Sequence, residues 1–507
     1  MRTKQAFKNA AFSVLLQLSL AISGILVPRF FIALYGSAVN GLVSSISQFI
    51  TYMSLVEAGV GAAATVSLYK PLADSDVKAV NGVLSATKRF YIRSGLLFAG
   101  LVALLVTAYP YLVHNEINDT SFIRLMILVL SVNGLVDYFI LGKYRVLLMA
   151  DQRGYILYAI QIVGTVVMTA VSILQIKLEC SALLVKSTAA AIYILRSLAA
   201  IIYCRKKYPH YSYNQEPNTA AFSQRNAALL HQIVGVIANN AAVILLTLML
   251  KRNALAEVSV YSVYNMVAYS LWSFLHAIIN GLTPSFGQVV SKDERQVLRD
   301  SFGSYEFLMF IITFFCYTCM TVLLYPFIHL YSAQFTDGVV YLRWELVALF
   351  SAAGILQSAR LPGLTLICAA GHYKETQLRA IIELIINLAV SVALTPFLGV
   401  AGVMIGICCS YLYRSIDIIL FTAKRYLPGS LKTTLSRLLR NGITAAALIF
   451  LGFKLVPLDT SSWIMWLVSA VLYSAATGII IFTVNLLFEK REIVKLLNRA
   501  KEMLKNR

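Results

Sequence analysis

The chain has 507 residues, 59% of them hydrophobic and only 13% charged, with a mean hydropathy of +0.74. Soluble domains carry about 25% charged residues, so this composition excludes a soluble globular protein. The apolar runs are long and continuous rather than alternating ten-residue segments, which excludes a β-barrel and leaves a multi-span helical membrane protein. The net charge is +20, but the Lys and Arg residues fall between apolar runs and form no aromatic-interleaved patch. That is the pattern of cytoplasmic loops, not of a nucleic-acid surface.

The first two apolar runs are Ala10–Tyr35 and Val39–Tyr69, separated only by Gly36, Ser37 and Ala38. About 20 apolar residues cross a bilayer as a helix, so each run is long enough to span. The N-terminus, with Arg2, Lys4 and Lys8 ahead of an apolar run, has the outline of a signal peptide. The run is too long, and Pro28-Arg29 stands where small residues are needed for cleavage, so the reading is an uncleaved first span.

Twelve further spans follow, at about 88–113, 121–149, 154–176, 181–204, 224–250, 258–289, 302–332, 339–370, 374–397, 400–423, 438–456 and 461–487. The sequence therefore predicts an all-α integral membrane protein of 14 transmembrane helices. Basic residues alternate between loops. Lys70, Lys78, Arg153, Lys206, Lys292, Lys374, Lys424 and the Lys490–Arg507 tail fall in one set, and few cations fall in the other. The positive-inside rule then places both termini in the cytoplasm. Seven cysteines are scattered, mostly within apolar runs, and imply no disulfide framework. Cys316-x-x-Cys319 has metal or redox spacing, but without a second pair or nearby His it reads as packing.

The chain repeats itself. Asn9-Ala10-Ala11 returns as Asn226-Ala227-Ala228, Tyr109-Pro110-Tyr111 as Tyr325-Pro326-Phe327, and Ser131-x-x-Gly134 as Ser351-x-x-Gly354, at offsets of 217, 216 and 220. Spans 1–6 and 7–12 read as two copies of one unit. Six spans return the chain to the same side, so the copies form a parallel pseudo-two-fold repeat, as in transporters that hold substrate between two halves. The expected domains are residues 1–217, 218–430, and 431–507 with two extra helices and a basic tail. A polar linker, Lys206–Arg225, joins the first two, and a basic one, Lys424–Arg440, precedes the third. Pro28, Gly281-x-x-Pro284 and Pro362 break the spans at candidate hinges, though Pro and Gly are frequent in membrane helices generally.

Several residues carry a family resemblance: Pro28-Arg29, Tyr35-Gly36 and Asn40-Gly41-Leu42 in the first two spans, and Asp151-Gln152-Arg153 before the fifth. Glu383-x-x-x-Asn387 follows, then Gly399-x-x-Gly402-x-x-x-Gly406. In order and spacing the chain resembles, over nearly its whole length, bacterial polysaccharide-unit flippases of the O-antigen and capsule type. These belong to the multidrug/oligosaccharidyl-lipid/polysaccharide exporter (MOP) superfamily. The resemblance implies movement of an undecaprenyl-diphosphate-linked oligosaccharide between leaflets of the cytoplasmic membrane. The expected partners are that lipid-linked oligosaccharide, an H⁺ or Na⁺ gradient read from acids within the apolar spans, and a polysaccharide polymerase with glycosyltransferases.

Such a task sets physical demands. Each sugar hydroxyl stripped of partners in hydrocarbon costs a few kcal/mol, and a diphosphate needs cations, for which the guanidinium fork is suited. Arg29, Arg145, Arg196 and Arg360 are the candidate substrate-binding residues, with Lys143 and Arg379 also near spans. Snorkelling to head groups is the competing reading for Arg29, Lys143, Arg145 and Arg360, which fall near span boundaries; Arg196 lies deeper. Glu57, Asp137 and Glu383 are the candidate ion-coupling residues, with Asp417 a further acid in apolar sequence. The alternative is an internal ion pair, Asp137 with an Arg of a neighbouring span, or Glu383 with Arg379 one turn earlier. His231, His276, Asn239, Asn240 and Asn280 read as interhelical hydrogen-bonding groups.

No catalytic constellation, Walker A sequence, metal set or cofactor motif emerges. Two rival readings remain. A membrane polysaccharide polymerase or ligase is expected to carry a sizeable outer loop, and every outer loop here is short. A cation-coupled multidrug antiporter of the same superfamily usually stops at twelve spans and favours acids and aromatics over several Arg.

Overall fold

The structure is a computed structural model that describes residues 2–57, 60–112, 117–218, 240–291, 295–370, 373–457 and 462–495. Every regular element among them is helical. Hydrocarbon offers no partner for a backbone N–H or C=O, and a helix satisfies both internally.

The helices are α1 (Arg2–Met53), α2 (Val60–Ala73), α3 (Val77–Leu112), α4 (Thr120–Val136), α5 (Gly142–Ala150), α6 (Gly154–Lys177) and α7 (Ala182–Lys207). There follow α8 (Asn240–Met249), α9 (Ala254–Ser291), α10 (Arg295–Ser332), α11 (Trp344–Ala359) and α12 (Leu361–Ala369). The last four are α13 (Tyr373–Leu398), α14 (Val400–Arg425), α15 (Leu431–Leu455) and α16 (Trp463–Phe488). Among the described residues, 11 helices are long and apolar enough to cross a membrane. One of these, Lys8–Glu57, is 50 residues long, or about 75 Å, more than twice the hydrocarbon thickness. Gly36 interrupts it with φ 82° and ψ 168°, a backbone that L side chains avoid, so two expected spans meet at this one residue. The expected span 224–250 and the match at Asn226 fall mostly outside the described residues. So does the linker beyond residue 218.

Two expected boundaries shift for visible reasons. The second span, expected unbroken to Tyr69, is interrupted by a 3₁₀ turn at Ser54–Glu57 before α2. Ser47, Thr51 and Ser54 hydroxyls donate to the carbonyls of Val43, Ser47 and Thr51, back-bonding that bends helices. Residues 424–440, expected as a basic linker, are helical from Leu431, because Arg437 is buried among acids at 4% exposure. The linker after α7 lies along α3. Ser212 N–H donates to Asn81 Oδ1 at 2.8 Å, Gln215 N–H to Ser85 Oγ at 2.9 Å, and Asn218 N–H to the Gly82 carbonyl at 3.1 Å.

The chain packs into two compact units, Met1–Ser262 with Phe335–Val339, and Val263–Gln334 with Val340–Arg507. The core of the first is aromatic and aliphatic, with Tyr91, Phe98, Tyr109, Met126, Tyr138 and Leu147. Polar groups close its helix contacts: Asn40 to Ser259 at 2.8 Å, Ser45 to Thr247 at 2.9 Å, and Tyr109 to Ser45 at 2.8 Å. A Cβ on Gly41 would lie 1.7 Å from the Leu255 carbonyl oxygen, so only glycine lets these backbones approach. Asn9 ties α1 to the Asp151-Gln152-Arg153 turn, donating to the Gln152 carbonyl and accepting from Tyr155 N–H.

In the second unit α13 and α14 pack closely, through Gly402 against the backbone of Leu394 and Thr395 and through Gly406 against Ser391. This is the small-xxx-small contact of membrane helices. Helix α10 carries α15 and α16. Phe310 and Phe314 meet Ala445, Cys319 and Val322 meet Val456 and Tyr473, and Phe327 meets Trp463 and Trp466. Cys319 is thus a packing residue.

Candidate functional site

Three of the charged residues within the spans, Glu57, Asp137 and Arg360, sit where the helices are interrupted. In the first unit Glu57 ends the 3₁₀ turn, and Asp137 opens a π-turn, Asp137–Leu141, between α4 and α5. A π-turn widens the helix by one residue and re-aims the side chains near it; such turns recur at functional sites. Here Gly142 leaves room for the Tyr91 ring, where a Cβ would lie 2.3 Å from it.

These interruptions bring two carboxylates to one guanidinium. Arg145 donates to Asp137 Oδ2 at 3.3 Å and to Glu57 Oε1 at 3.4 Å. The Tyr91 hydroxyl donates to Glu57 Oε1, and Tyr193 to Asp137 Oδ1 at 2.7 Å. The side chains of Arg145, Glu57 and Asp137 keep 37%, 22% and 23% of their exposure, so the cluster is partly open. Arg196 lies 4.1 Å from the Tyr193 ring centre, its stem against Gly164. It lines an apolar groove of about 420 Å³ with Val163, Val167 and Leu195. Counting only the ion-paired groups, this network carries one negative charge in excess.

The second unit holds a network of opposite balance. Arg360, at the break between α11 and α12 just before Pro362, donates to Glu383 Oε1. Glu383 Oε2 lies 3.5 Å from Arg414, which donates to Asp417 at 2.7 Å. Asp417 also accepts from Arg379. Glu383 therefore pairs with Arg360 and Arg414. The expected pairing with Arg379, one turn away on the same helix, does not form, because Arg379 turns to Asp417 on α14. Asp137 is also ion-paired, but with Arg145 of its own span, eight residues on across the π-turn, and not with an Arg of a neighbouring span. Arg360 also covers the Tyr411 ring at 4.7 Å, and Arg379 the Phe421 ring at 5.0 Å. Three guanidiniums against two carboxylates leave one positive charge in excess, and its end at Arg379 is the exposed one, 37% against 6–14% for the others.

The structure thus joins Glu57, Asp137 and Arg145 in one network and Arg360 and Glu383 in another. Arg196 flanks the first through Tyr193. Arg29 lies half-buried on α1, outside both networks.

No protein-family profile matches the chain, and no curated protein does. Solved structures do. The lipid II flippase MurJ in an inward closed conformation superposes with a TM-score of 0.68 at 13% identity, over 95% of this chain and 99% of MurJ. An inward-facing multidrug-resistance MATE transporter of the MOP superfamily matches with a TM-score of 0.57 at 12% identity, over 84% of this chain and 96% of its own. A point mutant of the Vibrio cholerae MATE transporter VcmN matches at 0.55 and 16% identity, over 84% and 98%. The chain has the fold of the MOP-superfamily transporters.

Within this MOP fold, sequence reading missed Arg414, the most buried member of the second network, and the tyrosines that hold both. A signal existed. Tyr193-Ile-Leu-Arg196-Ser197 on α7 returns as Tyr411-Leu-Tyr-Arg414-Ser415 on α14 at an offset of 218, within the spread of the other repeat matches. In each half the motif meets an acid, through Tyr193 on Asp137 in the first and through Arg414 on Glu383 and Asp417 in the second. In the first half the Arg covers Tyr193; in the second it bridges Glu383 and Asp417.

Proposed function

We propose that this protein is a flippase that carries undecaprenyl-diphosphate-linked oligosaccharide units across the cytoplasmic membrane by alternating access, for cell-surface polysaccharide assembly of the O-antigen or capsule kind. The observation that carries the reading is the likeness to MurJ over 95% of the chain, where the MATE matches reach 84%. At about 20 residues per span plus loops, the difference is roughly the length of two spans. The charge balance supports it. A network with excess guanidinium favours a diphosphate, and one with excess carboxylate favours H⁺ or Na⁺. By that balance Arg360, with Arg29 and Arg196, is assigned to the substrate and Glu57 with Asp137 to coupling; Arg145 and Glu383 are the counter-charges that hold each network, through which substrate and coupling ion would compete.

A cation-coupled drug antiporter is the second reading, favoured by the number of MATE structures with this fold and by the carboxylate excess around Arg145. Proteoliposomes separate the two. An imposed H⁺ or Na⁺ gradient is expected to accelerate flipping of a labelled undecaprenyl-diphosphate oligosaccharide, and Glu57→Gln with Asp137→Asn to abolish that acceleration. Gradient-driven export of organic cations without lipid flipping would replace the flippase by the antiporter. Flipping of equal rate in the double variant would remove the coupling role.

A further inference from the structure

Three cations converge at one end of the first unit with no carboxylate among them. Lys88 on α3, Lys143 on α5 and Arg205 on α7 come from three different helices. Lys143 Nζ lies 5.3 Å from the centre of the Tyr144 ring and 5.9 Å from that of Tyr213. Arg205 Nε donates to the Tyr144 hydroxyl at 3.3 Å. Lys88 Nζ donates to Asn214 Oδ1. Lys88 and Arg205 are close enough that their charges bear on Lys143. None of the three has an acidic partner among the described residues.

Snorkelling would separate like charges, since each long stem is free to reach water alone. Here the surroundings hold them together. The Tyr144 and Tyr213 rings lie 5.0 Å apart, tilted at 59°, and the linker that carries Tyr213 and Asn214 is fastened to Asn81, Gly82 and Ser85 of α3. The walls are fixed, so the repulsion is built in and an anion relieves it. A phosphoryl group fits. It carries roughly −1.5 to −2 charge and three acceptor oxygens, and Arg with Lys supplies fork and point-charge donors. Lys143 is seven residues from the end of α5, about 10 Å, Arg205 two from the end of α7, and Lys88 eleven from the start of α3, so all three lie toward helix ends.

We propose that Lys88, Lys143 and Arg205, walled by Tyr144, Tyr213 and Asn214, form a binding site for a phosphoryl anion, separate from both ion-pair networks. The phosphate comes from a lipid head group or from a free phosphate or diphosphate. The site does not depend on what the protein transports, and its test reads binding alone.

The full-length protein in neutral detergent is titrated with phosphatidic acid, with phosphatidylcholine of the same chains, and with inorganic pyrophosphate. Native mass spectrometry reads lipid binding, and thermal shift reads pyrophosphate. The triple variant Lys88→Gln, Lys143→Gln, Arg205→Gln is expected to lose about tenfold or more in affinity for whichever phosphoryl probe binds. A control triple at exposed Lys70, Lys78 and Arg89 is expected to change less than about twofold. Binding of phosphatidic acid alone assigns the lipid source, and binding of pyrophosphate as well assigns the free anion. Should the triple variant misfold, Lys143→Gln alone gives a smaller loss and Lys143→Arg restores binding. Equal loss in both triples, loss in neither, or no binding of either probe overturns the site.

Discussion

Glu383 is the residue on which the second network turns. It holds two guanidiniums, Arg360 and Arg414, and its side chain is 12% exposed. Removing one partner from a buried ion pair leaves an uncompensated charge and costs about 3–5 kcal/mol, whereas exposed pairs contribute about 0–1 kcal/mol. Glu383→Ala is therefore expected to destabilise the protein by about 3 kcal/mol, and Arg379→Gln, at a 37% exposed position, by less than about 1 kcal/mol. Thermal unfolding in detergent measures both. Equal losses would contradict the ranking by burial. The residue types were legible in the sequence, because a charge in an apolar run stands out. The partners were not. Which Arg meets Glu383 depends on the break at Arg360 and on how α13 and α14 face each other, whereas a count of residues along one helix can offer only Arg379, as one alternative.

At the scale of elements, α15 and α16 are fixed to α10 at both ends. One end is aromatic, with Phe327, Trp463 and Trp466 and an indole N–H donated to the Leu323 carbonyl at 3.2 Å. The other is ionic. Arg437 donates to Glu306 at 3.0 Å and to Glu489, and Arg440 to Glu489 and Asn485, each at 2.7 Å. Glu489 lies just beyond α16. Burial alone would raise its carboxyl pKa, but the hydrogen bonds and charges of Arg437 and then Arg440 outweigh it and hold the group below the ordinary carboxylate value of 4.5. The sign follows from linkage. A lowered folded pKa gives stability that is fully present above the unfolded value and lost as pH falls through the folded one. Glu489→Gln is thus expected to lower the unfolding temperature by a constant offset from pH 8 to about 5, with the two proteins converging in stronger acid. An offset that closes between pH 8 and 6 would contradict it. Sequence showed α15 and α16 as an extra pair but assigned Arg437 and Arg440 to a linker, because basic residues usually mark a span's end. Buried between Glu306 and Glu489, Arg437 is instead helical.

For the whole molecule, composition alone required a helical membrane protein, and continuous apolar runs located most of the helices. The repeat was also visible, most plainly in hindsight through Tyr193-x-x-Arg196-Ser197 and Tyr411-x-x-Arg414-Ser415. Breaks inside spans were less legible. Pro28 and Pro110 lie inside described helices that continue through them, while the π-turn at Asp137 has no proline to announce it. The motifs Tyr35-Gly36 and Asn40-Gly41 acquire a physical reason, a positive φ at the first glycine and a backbone contact at the second.

The central claim is that this MOP fold turns over a lipid-linked sugar rather than a soluble cation, and leaflet exposure tests it most directly. A fluorescent undecaprenyl-diphosphate oligosaccharide is placed in one leaflet of proteoliposomes holding the purified protein, and a membrane-impermeant quencher follows its appearance in the other under an H⁺ or Na⁺ gradient. The account predicts transfer well above protein-free liposomes and a loss of at least about tenfold in Arg360→Gln. Retention of the sugar in its original leaflet under gradients of either direction, by protein shown to be folded, would contradict it.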